Sequence, residues 1–114
     1  MPEIRSKAVT IEVILASMQE EDLNSLPRIL ARSPGNLIQV PTCRQAAWMA
    51  SESETPIVLS DLRLECQPWQ ETLRQLLTAR AEASVIFLAN GFDRSLSREV
   101  TRLGGFDLLI RPLE

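Results

Sequence analysis

Ser84-Val85-Ile86-Phe87-Leu88-Ala89 is a continuous uncharged, mostly apolar run with no alternation of polar residues. A strand covered on both faces reads this way, and such strands belong to parallel sheets flanked by helices. The surroundings of the run repeat that plan. Upstream, Pro56 opens a second apolar run, Ile57 to Ser60, which ends at Asp61. A loop of Glu65, Cys66, Gln67 and Pro68 leads into a helical pattern with Trp69, Leu73, Leu76 and Leu77 on one face. Downstream, Asn90-Gly91 marks a loop and Asp93 is placed to cap a helix bearing Leu96, Val100 and Leu103. Gly104-Gly105 stops that helix, and Phe106 to Ile110 forms a last strand.

The first half follows the same alternation. Ala8 to Ala16 is rich in β-branched residues and predicts a buried strand. Glu20, Glu21 and Asp22 then open a helical pattern with Leu23, Leu26, Ile29 and Leu30, and acidic residues suit a solvated first turn. Pro27 inside this pattern predicts either a kink or a shorter helix capped by Asn24 or Ser25. Ser33-Pro34-Gly35 ends it. A short strand over Leu37 to Val40 and a helix over Cys43 to Ser51, with Thr42 as cap, complete the order β-α-β-α-β-α-β-α-β. Right-handed crossovers make this a doubly wound parallel sheet, one domain over residues 1–114. Ligands and chemistry gather at the C-terminal strand ends of such sheets, here Ala16-Ser17-Met18, Asp61, Ala89-Asn90 and Arg111-Pro112.

Composition removes many function classes. The 114 residues contain no histidine and no tyrosine, which excludes histidine-based acid–base, nucleophilic, metal-binding and phosphocarrier chemistry. A net charge of -3 provides no basic field for nucleic acid or an anionic membrane. Four glycines fall in neither a dinucleotide fingerprint nor a phosphate loop. Cys43 and Cys66 are too few for a cysteine-only zinc site or a disulfide scaffold, and buried thiols in a reducing cytosol are expected. Met1 to Lys7 has no apolar signal core, and no run is long enough to span a membrane, so a cytoplasmic location is expected. Trp48, Trp69 and Met49 are expected in or beside the core. Arg94, Arg98 and Arg102 make one basic stripe on the helix after Asp93.

For chemistry, Asp61, Asn90 and Arg111 are what the strand ends offer, a thin set for an enzyme. Asp61 and Arg111 could bind a phosphoryl group together or simply pair with each other. Here the residues carry a resemblance. Val58-Leu59-Ser60-Asp61-Leu62-Arg63-Leu64, with Trp69 opening the next helix, resembles the phosphoacceptor region of response-regulator receiver domains. Leu103-Gly104-Gly105-Phe106-Asp107-Leu108-Leu109-Ile110-Arg111-Pro112 resembles the closing segment of the same family, and the likeness extends from about Val9 to Leu113.

The resemblance implies a flavodoxin-like five-stranded sheet of order 2-1-3-4-5, with Asp61 at the position that accepts a phosphoryl group from a histidine kinase. At the other functional positions this chain departs from the pattern. The acids that hold Mg²⁺ fall on Ser17 and Met18, the phosphate-binding hydroxyl on Ala89, the switch aromatic on Leu108 and the lysine on Arg111. The resemblance therefore implies a degenerate receiver: no catalytic residue, no required cofactor, and weak Mg²⁺ binding at most unless Glu20, Glu21 or Asp22 replaces the lost acids. Its expected partners are a histidine kinase or an output protein, with the arginine stripe as one docking face, rather than nucleic acid or membrane. A phosphorylatable switch using Asp61 with Arg111, and a small flavodoxin-type ligand-binding or enzymatic domain, are the alternatives. The sequence stops four residues after Ile110, so the family's final helix is expected to be missing or truncated, leaving an apolar face open to self-association.

Overall fold

A computed structural model of the chain describes residues 11–32, 35–91 and 93–113. Five strands, β1 (Ile11–Ala16), β2 (Gly35–Val40), β3 (Ile57–Asp61), β4 (Ser84–Ala89) and β5 (Asp107–Ile110), form one parallel sheet in the order β2-β1-β3-β4-β5. Four helices connect them: α1 (Glu20–Ile29), α2 (Cys43–Ser51), α3 (Trp69–Ala79) and α4 (Arg94–Arg102). This is the flavodoxin-like arrangement expected from the sequence. Ala8, Val9 and Thr10 of the expected first strand, and Ser33-Pro34 of the first helix stop, lie outside the described residues.

The period of two along each strand divides the core between the faces of the sheet. Ile14, Ala16, Val58, Val85 and Phe87 turn towards α2, α3 and α4, where Ala46, Leu76 and Val100 are fully buried. Val13, Leu15, Leu59 and Leu88 turn to the other face and meet Leu26 of α1. There α1 leaves a groove of ≈ 350 Å³ beside β3, β4 and β5, lined by Leu26, Ile29, Leu59, Ile86, Leu109 and Leu113 among others. Ile29 and Leu109 are exposed along it. The apolar face expected from the sequence is thus present among the described residues.

Helix ends follow their local chemistry. The Thr42 hydroxyl accepts from the Gln45 backbone N–H, and the Asp93 carboxylate accepts from Ser95 and Leu96, as the sequence predicts. The loop after β3 supplies a further cap. Glu65 and Cys66 both take left-handed backbone angles, φ 54° and 56°, which cost roughly 1–2 kcal/mol per residue. In that conformation the Glu65 carboxylate accepts from the Cys43 backbone N–H and satisfies the first turn of α2.

Three expectations are corrected. The first helix is not a shorter one capped at Asn24 or Ser25: α1 starts after Gln19 and runs through Pro27 to Ile29, followed by a 3₁₀ turn over Leu30–Arg32. Trp48 is 63% exposed rather than part of the core, because the buried stripe of α2 is Cys43, Ala46 and Ala50, and position 48 lies off it. Cys66 is exposed, carried outward on the left-handed turn, whereas Cys43 is buried as expected. Burial, together with the nearby Glu65 charge, pushes the Cys43 thiol up from its ordinary value. Trp69 does pack on the core, its ring meeting that of Phe87 edge-to-face at 5.6 Å between centroids.

Candidate functional site

The C-terminal ends of β1, β3 and β4 and the residue after β5 bring Ser17, Asp61, Asn90 and Arg111 together, and the start of α1 adds Asp22. Arg111 is the hub. Its backbone N–H donates to the Ala89 carbonyl, which extends the β4–β5 ladder by one bond and fixes where the side chain begins. The guanidinium then meets Asp22 side-on, Nε donating to Oδ1 at 2.8 Å and Nη2 to Oδ2 at 2.6 Å. The same Nη2 donates to Asp61 Oδ1 at 3.2 Å, while Nη1 donates to Asn90 Oδ1 and the Leu88 carbonyl. These bonds employ all five N–H donors of an arginine. The peptide bond from Arg111 to Pro112 is cis.

Asp22 is fully buried. The Ser17 hydroxyl donates to its Oδ2 at 2.7 Å and accepts from the Gln19 backbone N–H, so one serine both shapes the turn into α1 and aims the carboxylate. Burial alone would raise the Asp22 carboxyl. The bonds from Arg111 and Ser17 and the guanidinium charge outweigh it, and the group is held below its ordinary value. The Asp22 bond in turn raises Arg111 above its ordinary value, against the effect of burial and with a smaller contribution from Asp61. Asp61 is 7% exposed, and both its oxygens are engaged: Oδ1 also accepts weakly from the Arg63 backbone N–H, and Oδ2 accepts from Gln19 Nε2 at 3.3 Å.

Asp61 and Arg111 pair directly, as one sequence expectation had it, and Asp22 joins them. The solvated acidic first turn is corrected at one residue of three: Glu20 and Glu21 are exposed, but Asp22 is drawn inside because Arg111 and Ser17 satisfy its oxygens. Ser17 is buried in the cluster, whereas Met18 beside it is 66% exposed. Ala89 is buried and contributes only its backbone, and Leu108 is buried on the α2–α4 side. Along α4, Arg94 and Arg98 are exposed, whereas Arg102 is paired with Glu99. Sequence reasoning missed Gln19 and gave Asp22 the wrong setting. An arginine at a strand end near one aspartate was a signal for a second carboxylate, since a guanidinium has more donors than one aspartate can accept.

The residues do not fit a divalent cation of the kind that the resemblance implies. Hard cations need free carboxylate or carbonyl oxygens. Here Asp22 and Asp61 are already bonded to Arg111, Ser17 offers its hydroxyl hydrogen to Asp22, and Met18 is a thioether facing solvent. Among the described residues, no three His, Cys, Asp or Glu side chains group as metal ligands.

No family model and no curated protein matches the sequence. Solved structures do. A response regulator from Thermotoga maritima is 16% identical with a TM-score of 0.80, over 93% of this chain and 88% of that one. The signal receiver domain of a Vibrio parahaemolyticus protein is 20% identical with a TM-score of 0.79, over 93% and 82%. The chemotaxis response regulator CheY4 of Vibrio cholerae is 12% identical with a TM-score of 0.78, over 93% and 90%. The fold of this chain is that of response-regulator receiver domains.

Proposed function

We propose that the chain is a receiver-like signalling domain of a two-component system, one unit over residues 1–114, which acts in the cytoplasm by binding protein partners and passes little or no phosphoryl group through Asp61. It is not an enzyme on this reading. The observation that carries it is the engagement of Asp61 by Arg111, Gln19 and the Arg63 backbone, with Arg111 itself committed to Asp22. For Asp61 to attack a phosphoryl group, one oxygen must leave its donor, and the approaching charge needs a cation that is not already neutralised. Arg111 has no donor to spare. Ala89 offers no hydroxyl to a phosphoryl group, and Leu108 offers no ring to report on one.

A histidine kinase or an output protein is the class of partner this fold suggests. Exposed Arg94 and Arg98 on α4 favour an acidic surface on that partner, and the apolar groove beside α1 favours self-association as a further mode. No described helix is long and apolar enough to cross a membrane. The test is amide NMR with Mg²⁺ and beryllofluoride, an acyl-phosphate mimic, on the wild type and Asp61→Ala. A spectrum that does not respond is expected. Shifts centred on Asp61, requiring Mg²⁺ and lost in the variant, would overturn the reading in favour of a phosphorylatable switch.

A further inference from the structure

We infer that the Arg111 guanidinium is a built-in substitute for a divalent cation, and that it masks a latent hard-cation site formed by Asp22 and Asp61. A single nitrogen, Nη2, donates to Asp22 Oδ2 and to Asp61 Oδ1. Two carboxylates from different elements, the first turn of α1 and the end of β3, therefore converge on one positive centre. They are buried, with side-chain exposures of 0% and 9%, so their mutual repulsion is poorly screened by solvent. A positive group between them offsets that repulsion, and in this chain it is covalently attached.

The arrangement supplies more than charge. Ser17 and Gln19 hold outer faces of the two carboxylates, Ser17 on Asp22 Oδ2 and Gln19 on Asp61 Oδ2. Arg111 is the donor in neither bond, so both are expected to keep the acids oriented towards the centre when the guanidinium is removed. Asn90 Oδ1, which accepts from Nη1, is then freed as well, and the Leu88 carbonyl, which keeps its bond from the Leu62 backbone N–H, loses its second donor. Carboxylate, amide and carbonyl oxygens are the donor set that Mg²⁺ and Ca²⁺ prefer. Occupation by Arg111 makes the wild type indifferent to these ions; its removal creates demand for one.

The test uses thermal unfolding and Mn²⁺ as a paramagnetic NMR probe, in Mg²⁺ and in KCl matched for ionic strength. The wild type is expected to show no Mg²⁺-specific change in Tm and no Mn²⁺ broadening centred on residues 22, 61 and 111. Arg111→Ala is expected to melt lower in KCl and to regain about 4 °C or more in Mg²⁺, the shift that a cation at tenfold its Kd gives a chain of this size. Adding Asp22→Asn to Arg111→Ala is expected to abolish that gain. Should Arg111→Ala not fold in KCl, Arg111→Met, which keeps the apolar stem, is compared with it, and refolding of either on Mg²⁺ supports the inference. Specific Mn²⁺ broadening in the wild type, or arginine-less variants that never respond to Mg²⁺, overturns it. The inference and the signalling role fail separately: variants indifferent to Mg²⁺ leave the proposed partner binding untouched, and beryllofluoride shifts in the wild type address Asp61 as acceptor.

Discussion

Arg111 and Asp22, 89 residues apart in the chain, form a buried side-on pair with two bonds of 2.8 and 2.6 Å. A pair taken out of water contributes modest net stability, but removing one member leaves the other charged and without its partner in the core. Asp22→Ala is therefore expected to cost about 3–5 kcal/mol in urea unfolding. Asp61→Ala leaves the Asp22 pair intact and removes three longer bonds, from Arg111, Gln19 and the Arg63 backbone, at a cost of about 1–2 kcal/mol. Equal losses in the two variants would show that Asp61 anchors the arginine as firmly as Asp22 does.

The same pair sets an acid limit. The Asp22 carboxyl is lowered on folding from its ordinary 3.8, so the unfolded chain binds this proton more readily than the folded one. The stabilisation is fully present well above pH 3.8 and is lost as pH falls through that value towards the lower folded one. Stability measured between pH 7 and 5 should be nearly flat with respect to this group, then fall. Asp22→Asn should flatten the fall while lowering the plateau; an unchanged slope in the variant would assign the acid sensitivity to other carboxylates.

Two glycines near opposite ends of α4 should respond oppositely to alanine. A Cβ on Gly105 would stand 2.5 Å from Val100 Cγ1 and 2.9 Å from the Val100 carbonyl oxygen, so α4 must move away from the start of β5. A cost of about 1–3 kcal/mol is expected for Gly105→Ala. Gly91→Ala meets nothing within 4 Å and should change stability by no more than about 0.5 kcal/mol. Chemical denaturation of both variants checks the contrast, and a neutral Gly105→Ala would show that α4 sits more loosely than its packing indicates.

The two tryptophans divide in the same way. Trp69 packs edge-to-face on Phe87, and Trp69→Ala is expected to cost about 3 kcal/mol. Trp48 stands in solvent, and Trp48→Ala should fall within about 0.5 kcal/mol of wild type. Fluorescence adds a second check, since the blue-shifted emission of the folded chain should disappear with Trp69 and persist without Trp48.

The fold was legible because most of the described strands are short apolar runs and two of the helices, α2 and α4, carry a side-chain cap at their start. Ser84 to Ala89, Thr42 and Asp93 gave boundaries that the structure repeats. Asp61 and Arg111 were legible as strand-end residues. Asp22 was not, because Glu20-Glu21-Asp22 has the composition of any solvated first turn. Only the long-range arrival of Arg111 makes one of the three acids internal, and no local pattern encodes a partner 89 residues away. Trp48 misled for a related reason: residue type suggests burial, whereas the small residues Ala46 and Ala50 define the face that α2 turns towards α3.

The length of the Asp22–Arg111 connection bears on synthesis. A chain emerging from the ribosome presents β1, α1 and β3 long before residue 111, and during that interval Asp22 and Asp61 have no guanidinium to converge upon. Their mutual repulsion opposes the close approach of the α1 start to the end of β3. Arrival of Arg111 is expected to remove that opposition, since its guanidinium bonds to both carboxylates. A nascent chain halted before that residue should remain open to proteolysis at the α1 end, and one halted after it has cleared the exit tunnel should resist.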